Sequence, residues 1–306
     1  MTNILMTGVT GFIGSHLAEE LIKRGYKVYA LIRHSPTPVK NIPKEVITMK
    51  GDLLDYHSLI LAIRSSQPTY IFHLAAMTPV RDSFDNPFIY QEINYRGTMN
   101  LVHASLECSI LKRFIYASTM EVYKHKETPM DEESELYGST PYGVSKIAAD
   151  YYVRVAGDCY GLPYTILRCC NTYGRKTETG YLVEKIITMM LTKDKLELDG
   201  NPDSVRSFMY VDDHVQAYLY CMKEEAKNQV FNFAPVKVYS VMEIVETCKK
   251  ILNWKGEVVY GTNPRPSEAL KLTLDASKAK RILDWEAKVN LEEGLRQTII
   301  YWRENH

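Results

Sequence analysis

The chain has 306 residues, with 37 Lys+Arg balanced by 37 Asp+Glu, so its formal net charge is zero. At 45% hydrophobic residues it is an ordinary globular protein, able to bury a large core in one domain or two closely joined ones without disulfide or metal staples. Balanced charge argues against a protein dedicated to nucleic acid or a membrane surface, and no apolar run reaches membrane-spanning length.

Cys108, Cys159, Cys169, Cys170, Cys221 and Cys248 form no Cys-x-x-Cys pair and no zinc spacing with histidine. No metal site is expected, and the thiols read as small hydrophobes in a reducing, cytoplasmic setting. Met1-Thr2-Asn3 runs straight into a strand, with no basic leader and no cleavage site.

The first strand, Asn3 to Thr7, is followed by Gly8, Gly11 and Gly14, then a helix with Phe12, Ile13, Leu17, Leu21 and Ile22 as its apolar stripe. Glycines here permit a tight turn and let the backbone approach a pyrophosphate at the helix N-terminus, so Gly8, Gly11, Phe12, Ile13 and Gly14 are expected to bind a dinucleotide. The strand Val28 to Ile32 ends in Arg33-His34-Ser35. An acid commonly stands there to hold the ribose 2′-OH of NAD. Arg33 either meets the 2′-phosphate of NADP or stands as a solvated loop cation.

A third strand, Val46 to Met49, leads to Gly51-Asp52-Leu53. Asp52 is expected to accept from the adenine amino group, with Leu53 beside it; the alternative is a helix cap. The fourth strand, Tyr70 to Ala76, ends in small Ala75 and Ala76, which leave room for a cofactor, while His73 reads as a packed core histidine. A helix from about Pro87 to Glu107 carries Asn94. The fifth strand, Phe114 to Thr119, runs into Met120-Glu121-Val122-Tyr123 and a polar loop reaching Thr140. Such alternation predicts an α/β fold, a Rossmann-type doubly wound parallel sheet with ligands beyond the carboxyl ends of its strands.

Pro141-Tyr142-Gly143-Val144-Ser145-Lys146 opens a helix over Tyr142 to about Cys159. Tyr142 and Lys146 are four apart and share one helix face. A free phenol titrates near roughly 10, and a cation held beside it favours the phenolate. The pair is thus a way to build an acid/base that works at neutral pH. Alone, the spacing is also that of a solvated helix face with a half-buried tyrosine.

The sixth strand, Pro163 to Arg168, is followed by looser alternation: a helix at 181–191, a strand and turn at 196–203, a strand Val230 to Phe233, and helices at 241–252, 277–283 and 291–303. The expected division is a dinucleotide-binding domain at 1–168, with a return strand near 207–235, and a smaller α/β substrate lobe at 169–306.

Together these stretches resemble the extended short-chain dehydrogenase/reductase family, the NAD-dependent nucleotide-sugar epimerases and dehydratases, with the nearest likeness to UDP-sugar 4-epimerases. The likeness rests on the glycine turn, His73-Leu74-Ala75-Ala76, Asn94-Tyr95-Arg96-Gly97-Thr98, Thr119, Tyr142-x-x-x-Lys146, Arg168-Cys169-Cys170-Asn171-Thr172-Tyr173-Gly174 and Arg206-Ser207-Phe208-Met209-Tyr210-Val211-Asp212-Asp213. It implies that Tyr142 is the acid/base, that Lys146 lowers its pKa and bonds the nicotinamide ribose, and that Thr119 holds the reacting oxygen. Asn94 joins the cofactor set. Asn171, Arg206 and Arg265 would grip the nucleotide-sugar, and Thr78 would face the sugar. Arg206 has Asp203 and Asp213 as alternative partners.

The resemblance leaves the reaction open. A dehydratase of the family places an acid or hydroxyl after the threonine, then glutamate. Here the order is Thr119-Met120-Glu121: the resemblance makes Glu121 a catalytic base, whereas Met120 does not match the donor, because a thioether has no proton to give. Arg168 and Asn171 resemble the epimerase pattern, whereas Arg33 and its neighbours resemble NADP-using GDP-mannose dehydratases. The first expectation is a 4-epimerase of UDP-glucose or UDP-N-acetylglucosamine passing through a 4-keto sugar. A GDP-mannose-type 4,6-dehydratase is the alternative, followed by a decarboxylase or reductase. A cofactor-binding regulator would have no need of Thr119, Tyr142 and Lys146 together. A cytoplasmic homodimer built on the 87–107 and 142–159 helices is expected, with NAD as cofactor and no nucleic-acid or membrane partner.

Overall fold

Short apolar strands buried on both faces are what a parallel sheet covered by helices requires. In the computed structural model, described over residues 2–33, 42–175, 180–261 and 266–305, they form a seven-stranded, wholly parallel sheet. Its strands are β1 (Asn3–Thr7), β2 (Lys27–Ile32), β3 (Ile47–Lys50), β4 (Tyr70–His73), β5 (Arg113–Thr119), β6 (Tyr164–Cys169) and a last strand, Gln229–Phe233. The spatial order is Gln229–Phe233, β6, β5, β4, β1, β2, β3. Chain progression therefore reverses between β1 and β4, and a crevice opens at such a switch point.

Alternation along each strand feeds two cores. Leu5, Ile71, Phe114, Tyr116 and Ile166 pack on one face with Ile63, Leu101 and Val153 from the covering helices. Ile4, Met6, Phe72, Ile115, Leu167 and Phe231 pack on the other, and that core runs on through Val183, Ile187, Met209 and Leu295. The C-terminal lobe is thus fastened to the sheet by continuous apolar packing. Its strands are short: Asn171–Tyr173 pairs with Phe208–Tyr210, Lys195–Asp199 with Glu257–Gly261, and Val205–Arg206 lies between Tyr239–Ser240 and Lys271–Leu272. Of the stretch near 207–235, only Gln229–Phe233 returns to the main sheet, beside β6.

Local chemistry sets the helix ends. Helix α1 (Phe12–Lys23) follows the glycine turn, and Asp55 caps α2 (Tyr56–Ser66). The Pro141–Tyr160 helix starts at Thr140, whose hydroxyl accepts from Gly143 N at 3.0 Å, with Pro141 in its first turn, and stops at Gly161 with φ of 70°. The helix expected over Pro87 to Glu107 is instead three joined pieces: Pro87–Tyr90, a π-helical stretch Gln91–Arg96, and Gly97–Ser105. Asn94 lies in the π-helical stretch. Among the described residues, no helix is long and apolar enough to cross a membrane, and no group of His, Cys, Asp or Glu could hold a metal ion. All six cysteines are free thiols, and only Cys159 is exposed.

Candidate active site

The glycine turn fills the crevice beside β1 with backbone. Gly8 has a φ of +77°, and a Cβ there would fall 2.6 Å from the Ala75 nitrogen; one at Gly14 would fall 2.1 Å from the Gly8 oxygen. No other residue fits either place. Gly11 caps α1 without any side-chain hydrogen bond, and the N–H groups of a helix's first turn, lacking partners within the helix, suit an anion. This cradle fits a dinucleotide pyrophosphate.

Around it, Asp52 Oδ1 accepts from Leu54 N at 2.8 Å, while Asp55 takes the helix-capping bonds from His57 N and Ser58 N. The cap alternative for Asp52 therefore falls to its neighbour. Leu53 packs under Gly97, where a Cβ would lie 2.9 Å away. Arg33 is exposed at the end of β2, and Ala75 and Ala76 are half-buried past the end of β4.

His73 is a core histidine. Its Nδ1 lies 2.7 Å from Thr7 Oγ1 and its Nε2 2.8 Å from Thr98 Oγ1. Burial, with the Lys146 charge adding to it, drives its pKa down to about 3, so the ring stays neutral. Asn94, expected to bind cofactor, points its amide into the protein. Its Oδ1 accepts from Met77 N at 2.7 Å, and its Nδ2 donates to Met77 O at 3.0 Å and to Ser145 Oγ at 2.9 Å. Ser145 Oγ in turn donates to Tyr142 O at 2.7 Å. Asn94 thus ties the loop beyond β4 to the start of the Tyr142 helix. On that loop, Pro79 O accepts from Tyr90 Oη at 2.5 Å, and Thr78 Oγ1 lies 3.1 Å from Tyr181 Oη.

Tyr142, Thr119 and Glu121 converge at the carboxyl end of β5. Tyr142 is only 8% exposed, sits edge-on to Tyr90 with ring centroids 6.2 Å apart, and lies close enough to the Thr119 hydroxyl to be influenced by it. Burial raises the phenol's pKa; the Thr119 hydroxyl opposes this, and Glu121, Tyr181 and Tyr90 add to it. Lys146, 3% exposed, donates to Ala117 O at 2.6 Å, and burial pushes its pKa down to about 7 against the pull of Asp150. The expectation that Lys146 lowers the Tyr142 pKa is therefore corrected for the protein's own groups. Burial is the largest influence on the phenol, and in the protein alone the ammonium donates to a β5 carbonyl.

Thr119 also accepts from Glu121 N at 3.3 Å and so starts the short turn Met120–Val122. Met120 is 1% exposed and lies in the apolar core. Glu121 is buried, with an oxygen 3.8 Å from His125 Nε2. A Cβ at Gly143 would fall 2.6 Å from Glu121 O, so this glycine lets the helix start press against the glutamate backbone.

From the lobe, Asn171 is exposed at the start of its strand. Arg206 is buried and its guanidinium stands 3.9 Å from Glu268 Oε1; neither Asp203 nor Asp213 is that partner, and Asp213 instead accepts from Lys288 N and Val289 N. Arg265 lies outside the described residues. A cavity of about 550 Å³ between the two halves is lined by His125, Tyr137, Ser139 and Glu268 among others.

Sequence reading missed what lies behind Lys146. Asp150, one turn further along the same helix face, is fully buried and held by Arg168 through Nη2 at 2.9 Å and Nε at 3.0 Å, and by Ser118 Oγ at 2.8 Å. Arg168 Nη1 continues to Tyr123 Oη at 2.9 Å, which donates to Asn232 Oδ1 at 2.7 Å. Burial works against the Arg168 charge, but Asp150 and Tyr123 outweigh it and its pKa is raised. The i, i+4, i+8 spacing of Tyr142, Lys146 and Asp150 was the available signal.

The family model of GDP-mannose 4,6-dehydratase matches residues 5–298. A putative UDP-glucose 4-epimerase of Methanocaldococcus jannaschii is 31% identical over 308 residues, covering 99% of each chain. Among solved structures, UDP-glucose 4-epimerase of Thermotoga maritima with UDP-glucose superposes with a TM-score of 0.94 at 33% identity, covering 99% of each chain. The Thermus thermophilus UDP-glucose 4-epimerase complex with NAD gives 0.90 at 27% identity, again covering 99% of each. With a nearly full-length match to the family model and relatives of about one-third identity along the whole chain, the chain is an enzyme of the extended short-chain dehydrogenase/reductase family.

Proposed function

We propose that the protein is an NAD-dependent UDP-sugar 4-epimerase, acting on substrates of the UDP-glucose or UDP-N-acetylglucosamine kind through a 4-keto sugar. The observation that carries this reading is Met120, buried in the apolar core directly after Thr119, where a dehydratase would need a proton donor. The epimerases of Thermotoga maritima and Methanocaldococcus jannaschii support it.

NAD, when bound, supplies the hydride acceptor and returns the hydride. Gly8, Gly11, Phe12, Ile13 and Gly14 would hold it with Asp52, Leu53, Ala75, Ala76 and Lys146, and Asn94 supports the wall behind it. Arg33, exposed at the end of β2, is compatible with a 2′-phosphate, so NADP remains the cofactor to compare. Thr78, Asn171, Arg206 and Arg265 would hold the nucleotide-sugar. The Thr119 hydroxyl holds the sugar O4, and Tyr142 Oη takes its proton and later gives it back.

Tyr142 and Lys146 supply that base jointly. A phenol beside a neutral amine and a phenolate beside an ammonium contain the same number of protons, so interacting groups titrate as a pair. Lys146 sheds its proton near 7, and the neutral amine is then the base that can draw the phenol's proton as Tyr142 Oη takes that of the sugar, although burial opposes a lone phenolate.

One observation favours a 4,6-dehydratase as second reading: Glu121 is buried close enough to Tyr142 to influence its titration. Incubation with UDP-glucose, UDP-N-acetylglucosamine and GDP-mannose, followed by proton NMR, separates the two. Galacto-configured products carry the epimerase reading, and a sugar that has lost water overturns it.

Exposed Phe88, at 85%, lies with Ile89, Tyr151 and Val155 on the Pro87–Tyr90 and Pro141–Tyr160 helices, which supports a homodimer across these elements. Light scattering at the mass of one chain would oppose it. A cytoplasmic setting is consistent with six free thiols.

A further inference from the structure

The proposed chemistry depends on a charge at Lys146, and burial works against that charge. The groups facing its ammonium come from several elements. On its own helix, Tyr142 is a protonated phenol and Asp150 a carboxylate. Both Asp150 oxygens are engaged by Arg168 of β6 and Ser118 of β5; the carboxylate still favours the Lys146 charge, but by less than burial opposes it. On β4, His73 is neutral, both ring nitrogens being bonded to threonines. On β5, Ala117 O accepts from the ammonium at 2.6 Å. Beside these stands Tyr116, whose ring centroid lies 4.3 Å from Lys146 Nζ.

At that separation a cation lies well within reach of the negative face of an aromatic ring, and the attraction is strongest where water is excluded. The ring cannot turn away. It is fully buried in the core under the Pro141–Tyr160 helix, and the His73 ring packs against it at 5.7 Å. Its phenol stays neutral, because burial, then Asp150 and Tyr142, raise its pKa, so it brings no charge of its own.

We propose that Tyr116 is a positioning residue for the reaction, its ring face holding the Lys146 ammonium in place and in its charged form. An aliphatic side chain of like size would fill the core equally well but offer no such face. The π-face favours the phenolate–ammonium arrangement of the Tyr142–Lys146 pair over the phenol–amine one. This effect on rate rests on the acid/base role proposed above; the effect on Lys146 itself does not.

The test uses the full-length protein with Phe at position 116 and a series of phenylalanines carrying increasing numbers of ring fluorines. These rings keep nearly the same volume while losing their negative face. The Lys146 ammonium is titrated by ¹³C NMR of its Cε, assigned with Lys146→Met. Tyr116→Phe should leave the midpoint where the wild type has it. Successive fluorines should lower it stepwise, by about tenfold in the ionisation constant, or about one pH unit, at the end of the series. The kcat should fall along the series while KM for the nucleotide-sugar holds. An unchanged midpoint throughout, or a shift in Tyr116→Phe as large as that of the most fluorinated ring, overturns the proposal. A moving midpoint in a protein that converts no nucleotide-sugar would uphold Tyr116 and sink the epimerase reading instead.

Discussion

The glycine turn and the Tyr142 helix, two walls of one site, are built on opposite principles. At the turn, function is the absence of side chains: Gly8 and Gly14 leave no room for a Cβ, and the working groups are backbone N–H donors. At the helix, function is side-chain charge in a place hostile to charge. Burial raises the Tyr142 pKa and lowers that of Lys146, and a buried Asp150–Arg168 pair stands behind them. The first wall is a local property of a few adjacent residues. The second is assembled from β4, β5, β6 and the helix, and no short stretch of sequence contains it.

Substitutions that strike one wall and spare the other sharpen that contrast. Tyr142→Phe should keep the fold and bind cofactor normally, yet lose a factor of about 10²–10⁴ or more in kcat, since a positioned acid/base alone supplies that much. Near-normal turnover would remove Tyr142 from the mechanism. Asp150→Ala leaves Arg168 as a buried charge without its carboxylate and should cost about 3–5 kcal/mol in urea unfolding. A loss within about 0.5 kcal/mol, the range of ordinary surface changes, would mean that the network adds nothing.

Gly14→Ala acts on the other wall. Its methyl would meet the Gly8 carbonyl, so NAD affinity measured by calorimetry should fall at least about tenfold, with Tyr142 and Lys146 undisturbed. Unchanged affinity would show that the turn can relax. The smallest expected effect is on stability. The Lys146 pKa is lowered from the ordinary 10.5 to about 7, so the folded state binds fewer protons than the unfolded one between those values. Stability from this group is full above 10.5 and is lost as pH falls through about 7. Lys146→Met should therefore melt higher than wild type at neutral pH, and a lower melting point would show that the Ala117 and Tyr116 contacts outweigh desolvation.

What could be read in the sequence follows the same division. The strand–turn–helix at Asn3 to Lys23 announced itself, because periodicity and glycine spacing are local. The Tyr142 helix was legible to within a residue or two at each end. The direction of the Tyr142 pKa was not, since spacing gives adjacency but not burial, and burial decided it. Nothing local in the sequence shows that the Asn94 amide is engaged by Met77 and Ser145, 17 and 51 residues away along the chain. Arg206 was weighed against Asp203 and Asp213; its carboxylate neighbour, Glu268, comes from a segment 62 positions on, which only the folded lobe brings close. The π-helical stretch at Gln91–Arg96 left no mark in the apolar pattern.

The central claim is that a buried phenol and a buried amine together provide one base at neutral pH. The pH dependence of kcat/KM for UDP-glucose epimerisation, which reports the groups of the enzyme before the sugar binds, tests it most directly when followed from about pH 5 to about pH 9. Below the Lys146 value the pair holds both protons and no base is present; above it one proton is gone. The rate should climb through a single step centred near 7. A rate that stays flat across the range, or falls as pH passes 7, would contradict the account.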